Sequence, residues 1–197
     1  PGTEEDELFL GLLILCEQRA AALLRNDENE QKNSVVTFIS DSVDYQKNIL
    51  EKAGYCVGKY VFNMQIDLDH EIPQPQWPEN VEVRTARTGI DDQHIHAIVQ
   101  KAFRKPDHPD QPFGEWKEFM MRADLYDSDL WFLAISGEEI VGTCLCFPYD
   151  EKGWVRQLAV SEPFRKRGLG SALLQHSFRA LKERGYEKVG LAVESTN

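Results

Sequence analysis

One continuous stretch near the end of the chain leaves little freedom of fold. "GWVRQLAV", Gly153 to Val160, is β-branched and apolar and reads as a strand. "SEPFRKRGLGSALLQHSFRALKERG" follows: a turn, then a helix from about Gly168 to Arg184 that stops at Gly185. "KVGLAVES", Lys188 to Ser195, is a second strand. Strand, helix and strand in one sheet make a parallel pair with a right-handed crossover. Immediately upstream, "LWFLAIS" and "EEIVGTCLCFPY" form a hairpin over Gly137. Antiparallel and parallel pairing therefore meet in one sheet, and the fold class is α/β with a mixed (α+β) sheet.

The segments before the hairpin extend this unit. "VEVRTA", Val81 to Ala86, is a strand, "IDDQHIHAIVQKAF" a helix, "RKPDHPDQP" a loop and "FGEWKEFMMRA" a second helix. From residue 80 on, the predicted order is β-α-α-β-β-β-α-β. Ahead of it, "DHEIPQPQWPEN", Asp69 to Asn80, has three prolines and no periodicity and reads as a linker. The first part of the chain reads as a helix over residues 8–25, a buried strand "SVVTFIS", a helix "DYQKNILEKAGY" capped at Gly54, and a strand "KYVFNMQIDL". The expected division is residues 1–69, a linker at 70–79, and residues 80–197.

Composition narrows the function. The net charge of -11 argues against generic nucleic-acid binding, which needs a broad basic surface. No apolar run reaches the roughly 18 residues of a membrane span. "LFLGLLILC", Leu8 to Cys16, follows acids rather than the basic residues of a secretion signal, so a buried helix is expected. Cys16, Cys56, Cys144 and Cys146 are scattered, and no His or Cys cluster completes a metal site. Free, mostly buried thiols and a cytoplasmic location are expected. Cys144 and Cys146, two apart in a strand, share a face.

The turn between the last two strands breaks the acidic pattern. Arg165, Lys166 and Arg167 stand directly before Gly168-Leu169-Gly170 and Ser171, at the start of a helix. A helix N-terminus leaves up to four N–H groups unpaired and carries partial positive charge. Glycines let a ligand approach the backbone, so the turn suits a pyrophosphate-sized anion; a solvated charge run is the plainer alternative. The P-loop pattern G-x-x-x-x-G-K-[ST] is absent, and Gly168-Leu169-Gly170 lacks the third glycine of a dinucleotide fingerprint.

The pattern that does fit is [QR]-x-x-G-x-[GA], at Arg165, Gly168 and Gly170. Preceded by "LAVSEPF" and set in the β-α-α-β-β-β-α-β order, it resembles the acetyl-CoA pyrophosphate loop of the GNAT N-acetyltransferase superfamily. The resemblance implies an acetyl-CoA-dependent N-acetyltransferase, with acetyl-CoA as co-substrate and no metal, acting on a primary amine of a small molecule or peptide. It implies that the strand before the loop splays from its parallel neighbour at a bulge. Backbone groups of Leu158 and Val160 would then meet the pantetheine arm. Amides from about Lys166 to Ser171 would hold the pyrophosphate, and Asn197 would lie beside the thiol arm. A non-catalytic acyl-CoA-binding or regulatory module of the same fold is the alternative.

No catalytic residue is assigned. Asp150, Glu151, Gln157 and Glu194 lie in or near the right strands as candidate bases, and the tyrosine acid of many relatives belongs to a helix after Asn197. Residues 1–69 resemble only the C-terminal half of the same fold. Leu50 stands at the tyrosine's place, and Glu4 to Glu7 stand where a pyrophosphate would bind. The whole is similar to tandem GNAT proteins of the mycothiol synthase-like group, with both units incomplete. A fragment of a longer tandem protein is expected. Residues 34–68 are a candidate to complete the second unit's sheet, within the chain or by exchange in a homodimer.

Overall fold

A strand holds its conformation only when a neighbour takes its hydrogen bonds, and that rule decides which apolar runs of this chain become strands. The computed structural model describes residues 4–24, 34–104, 109–122, 124–149 and 151–195. The chain divides into two compact units, Pro1–Tyr60 and Val61–Asn197.

The first unit holds helices α1 (Glu4–Leu24) and α2 (Asp44–Lys52). Gly54, at φ +88°, turns the chain out of α2, and the Tyr55 N–H donates back to the Leu50 carbonyl at 2.9 Å, a left-handed helix stop. The Tyr55 hydroxyl donates to Glu17 at 2.8 Å, and the Phe9 ring meets Tyr45 edge-on. "SVVTFIS" does not form the expected buried strand. Residues 34–40 have no regular structure and are mostly exposed. Their β-branched content supplies propensity, but no described strand of this unit supplies a partner.

The second unit is one six-stranded sheet. Its elements are β1 (Val61–Asp67), β2 (Glu82–Thr85), α3 (Asp92–Phe103), α4 (Phe113–Met120), β3 (Trp131–Ser136), β4 (Glu139–Pro148), β5 (Gly153–Val160), α5 (Leu169–Glu183) and β6 (Lys188–Glu194). The sheet order is β1-β6-β5-β4-β3-β2, with β5 and β6 parallel and every other pair antiparallel. The expected β-α-α-β-β-β-α-β order is present, with β1 added at the edge. β1 is the only part of residues 34–68 that joins this sheet among the described residues.

Each sheet face buries its own core. α5 presents Leu169, Ala172, Leu173 and Leu181, the 3.6-residue stripe, to Phe132, Cys144, Cys146, Val155 and Val189. α3 and α4 cover the other face, packing Ile95, Val99, Trp116 and Met120 on Trp131, Leu133, Leu145 and Ala159. Two buried aspartates fasten that layer. Asp91 accepts two hydrogen bonds from the Arg84 guanidinium (2.7 and 2.9 Å) and one from the Arg87 backbone N–H. Asp92 accepts from Lys117 of α4 at 3.0 Å.

The proline-rich segment is not a loose linker. Leu68 and Ile72 are buried, and Trp77 lies edge-on to His176 of α5. Arg179 donates to the Ile72 carbonyl at 3.0 Å and Lys182 to the His70 carbonyl at 2.7 Å. The segment is a strap along α5, and the division between units falls before β1 rather than at 70–79. Prolines remove backbone donors, but the apolar residues between them still bury.

Candidate functional site

The strand pair built by the crossover comes apart halfway. β5 and β6 pair over Gly153–Val189, Trp154–Gly190 and Val155–Leu191, and there the register ends. β6 runs on to Glu194 beside β1, and β5 runs on to Val160 beside β4. The cause lies in β5. Leu145 of β4 faces Gln157 while Cys146 faces Val155, so Arg156 is an extra residue, a β-bulge. Its side chain and that of Gln157 both fall on the α4 face. The Arg156 guanidinium lies over Phe119, and Gln157 accepts from Trp116 Nε1 at 3.2 Å. Two adjacent polar residues in "WVRQLAV" are the sequence signal of this bulge.

Beyond the bulge, alternation decides which backbone groups face the opening. Ser161 N–H donates to Val141 of β4 at 2.9 Å, so Ala159 and Gln157 also turn their polar groups toward β4. Leu158 and Val160 turn theirs away, to the side that β6 has left. The Val160 carbonyl accepts there from Arg165 Nε at 3.0 Å.

The turn after β5 has the form of an anion cradle. Lys166 (φ +59°) and Gly168 (φ +82°) are left-handed while Arg165 is extended, so the chain turns sharply twice before α5. The first α5 bond within this turn runs from Ala172 N–H to Gly168 O, which leaves the N–H groups of Leu169, Gly170 and Ser171 outside the helix ladder. The Leu169 side chain is core; its backbone belongs to the turn. At Gly170 an added Cβ would meet only Val160 Cγ2, at 3.8 Å. Packing within the chain therefore does not require a glycine there, and the backbone is open to close approach. Arg165, Lys166, Arg167, Gly168 and Ser171 are exposed. A cavity of 140 Å³ beside the turn is lined by Ile98, Lys101, Ala102, Val160, Ser161, Glu162 and Arg165.

The structure sorts the other candidates. Glu151 lines a larger cavity, 390 Å³, with Arg184, Gly185, Tyr186 and Glu187 at the opposite end of β5, away from the opening. Gln157 is tied to Trp116. Glu194 ends β6. Because a Cβ on Gly190 would point into the Trp154 ring, Gly190, Ala192 and Glu194 share the α4-facing side. Asp150 and Asn197 lie outside the described residues, as does His108 of the loop before α4. Among the described residues there is no group of three His, Cys, Asp or Glu that could hold a metal, and no helix long and apolar enough to cross a membrane. Cys16 and Cys56 are exposed, against the expectation of mostly buried thiols, and Cys144 and Cys146 are buried.

Comparisons with known proteins agree with this arrangement. A sequence model of the acetyltransferase (GNAT) family matches residues 93–197. The chain is 29% identical over 166 residues to a mycothiol acetyltransferase of Acidothermus cellulolyticus, covering 74% of this chain and 50% of that protein. It is 30% identical over 164 residues to one of Geodermatophilus obscurus, covering 76% and 51%. It resembles the crystal structure of a GCN5-related N-acetyltransferase from Sphaerobacter thermophilus, at 33% identity and TM-score 0.70 over 80% of this chain and 49% of that one. The chain spans about half the length of these relatives. A splayed β5–β6 pair, a basic glycine cradle at its mouth and a family match over more than half of the residues lead to one conclusion: the chain belongs to the acetyltransferase (GNAT) family.

Proposed function

We propose that the chain transfers an acetyl group from acetyl-CoA to a primary amine. The observation that carries this reading is the opening between β5 and β6, which begins at a bulge and ends at the anion cradle. The amides of Lys166 to Ser171, with the charges of Arg165, Lys166 and Arg167, would hold the pyrophosphate. Leu158 and Val160 offer backbone groups along the opening, and the Val160 carbonyl, which already accepts from Arg165, has a second lone pair for a ligand donor. From Val160 back to Arg156 the strand covers about 13 Å, so a pantetheine-length arm entering at the cradle reaches toward the bulge.

Acetyl-CoA supplies the thioester: the amine nitrogen bonds to its carbonyl carbon, the C–S bond breaks, and an amide and a free thiol remain. An N–H at the splayed strand stabilises the developing oxyanion. The ammonium must lose a proton first; the base is unassigned, and Glu194, at the end of β6, is a candidate for it. Residues 1–69 are read as a degenerate half of the same fold that has lost the cofactor site, since Glu4, Glu5, Asp6 and Glu7 fill the first turn of α1 where a pyrophosphate would be repelled.

Titration with acetyl-CoA, with CoA and with desulfo-CoA tests the site, and turnover on an amine panel tests the chemistry. Saturable binding weakened by the double substitution Arg165→Glu and Arg167→Glu, together with turnover, supports the transferase. Binding with no turnover on any amine supports a non-catalytic acyl-CoA module instead. Absence of binding overturns both.

A further inference from the structure

The acceptor has to reach the point where β5 and β6 part, and the bulge fixes which side chains it meets there. Arg156 is the extra residue, exposed, on the α4-facing side. Its guanidinium carbon lies 5.0 Å from the centre of the Phe119 ring, and Phe119 is itself 49% exposed. A ring under the flat face of a guanidinium holds it while leaving the N–H edge available to an oxyanion. Among the described residues Arg156 makes no ion pair. Its neighbour Gln157 is fixed by Trp116, so the bulge cannot easily rotate the cation away.

The surroundings repeat the same chemistry. The Trp154 ring lies against Gly190, where a Cβ would stand 2.5 Å from it, and so floors the opening at the last paired residues. Lys152 Nζ lies 5.1 Å from the centre of that ring, and Tyr149 packs edge-on to it. A chain of net charge -11 thus sets a cation, Arg156, over an exposed ring where the strands part, while Lys152 and Tyr149 pack on Trp154 at the paired end of β5. Glu194 occupies the same side on the opposite strand. A second ammonium on the acceptor would be repelled by Arg156, whereas a negative group would be bound.

We propose that Arg156 is a specificity-determining residue: the amine acceptor carries an anionic group, carboxylate or phosphate, close to the reacting nitrogen, and the N–H edge of Arg156 binds it. This rests on the transferase reading above.

The test uses the full 197-residue chain with acetyl-CoA and matched acceptor pairs. The pairs are α-amino acids against their amides, and aminoalkyl phosphates against the corresponding amino alcohols. The readout is the ratio of kcat/KM within each pair. The wild-type chain favours the anionic member, and Arg156→Glu lowers that ratio at least about tenfold, the worth of one charge-assisted hydrogen bond. Arg156→Lys retains part of it. The position is exposed, and thermal melting checks that each variant folds. The pair with the higher ratio distinguishes carboxylate from phosphate. Turnover with no preference for the anionic member, or a preference untouched by Arg156→Glu, overturns this assignment and leaves the transferase standing. No turnover on any amine overturns both.

Discussion

At Gly170 an added Cβ has room, and at Gly190 it does not; the two glycines therefore make opposite predictions. Gly170→Ala is expected to leave thermal stability unchanged or slightly raised, because the position is helical and only Val160 is near. The same variant should weaken acetyl-CoA binding measured by calorimetry. Gly190→Ala should lower stability by about 1–3 kcal/mol in denaturant melts, since the Trp154 ring must move off the strand. Asp91 gives a prediction in pH. The hydrogen bonds of Arg84 hold its carboxyl well below the usual carboxylate range, against the opposing effect of burial. A depressed folded pKa means that folding favours the ionised form. Its stabilisation is present above the unfolded value of about 3.9 and is lost as pH falls below it. Asp91→Asn should cost about 3 kcal/mol at neutral pH, the low end for a broken buried pair. Its melting temperature should also fall less steeply than wild type between about pH 4 and pH 2.

The strap and β5 show what an element owes to its surroundings. Ile72 stands in a run with three prolines within six residues, yet it is 5% exposed, as part of the strap along α5. Ile72→Ala is expected to destabilise the second unit by about 2–4 kcal/mol, a core-sized loss, measured by urea unfolding. A tethering segment would show none. Periodicity made α5, the β3–β4 hairpin and the parallel pair legible, because each repeats a spacing that burial rewards. The strap was not legible, since its apolar residues follow no helical or strand period and its anchors, Arg179 and Lys182, lie more than a hundred residues further on. "SVVTFIS" failed for the opposite reason: it has strand composition without a neighbour. In the candidate site the charges and glycines of the turn were readable, but they pointed to an anion only through the strands on either side. The left-handed Lys166 and the outward Arg156 were not, because each depends on how the chain is bent locally rather than on residue type.

For the whole molecule, the position of β1 decides where the chain can be cut. Residues 61–197 should fold and unfold cooperatively on their own. Residues 80–197 lose both β1 and the strap, leave the β6 edge open, and should aggregate; light scattering and circular dichroism of the two fragments check this. The four thiols then serve as a clock of how this architecture breathes. Cys16 and Cys56 are open to solvent. Cys144 and Cys146 sit in β4, a central strand, with their sulfurs 3.8 Å apart; that contact, and then burial, push the Cys146 thiol well above its ordinary range. Exposed to an alkylating reagent, the native chain should take two labels quickly and two more together. The second pair should follow only at the rate at which the middle of the sheet opens, and mass spectrometry of the doubly and quadruply labelled species would read that opening free energy without any denaturant.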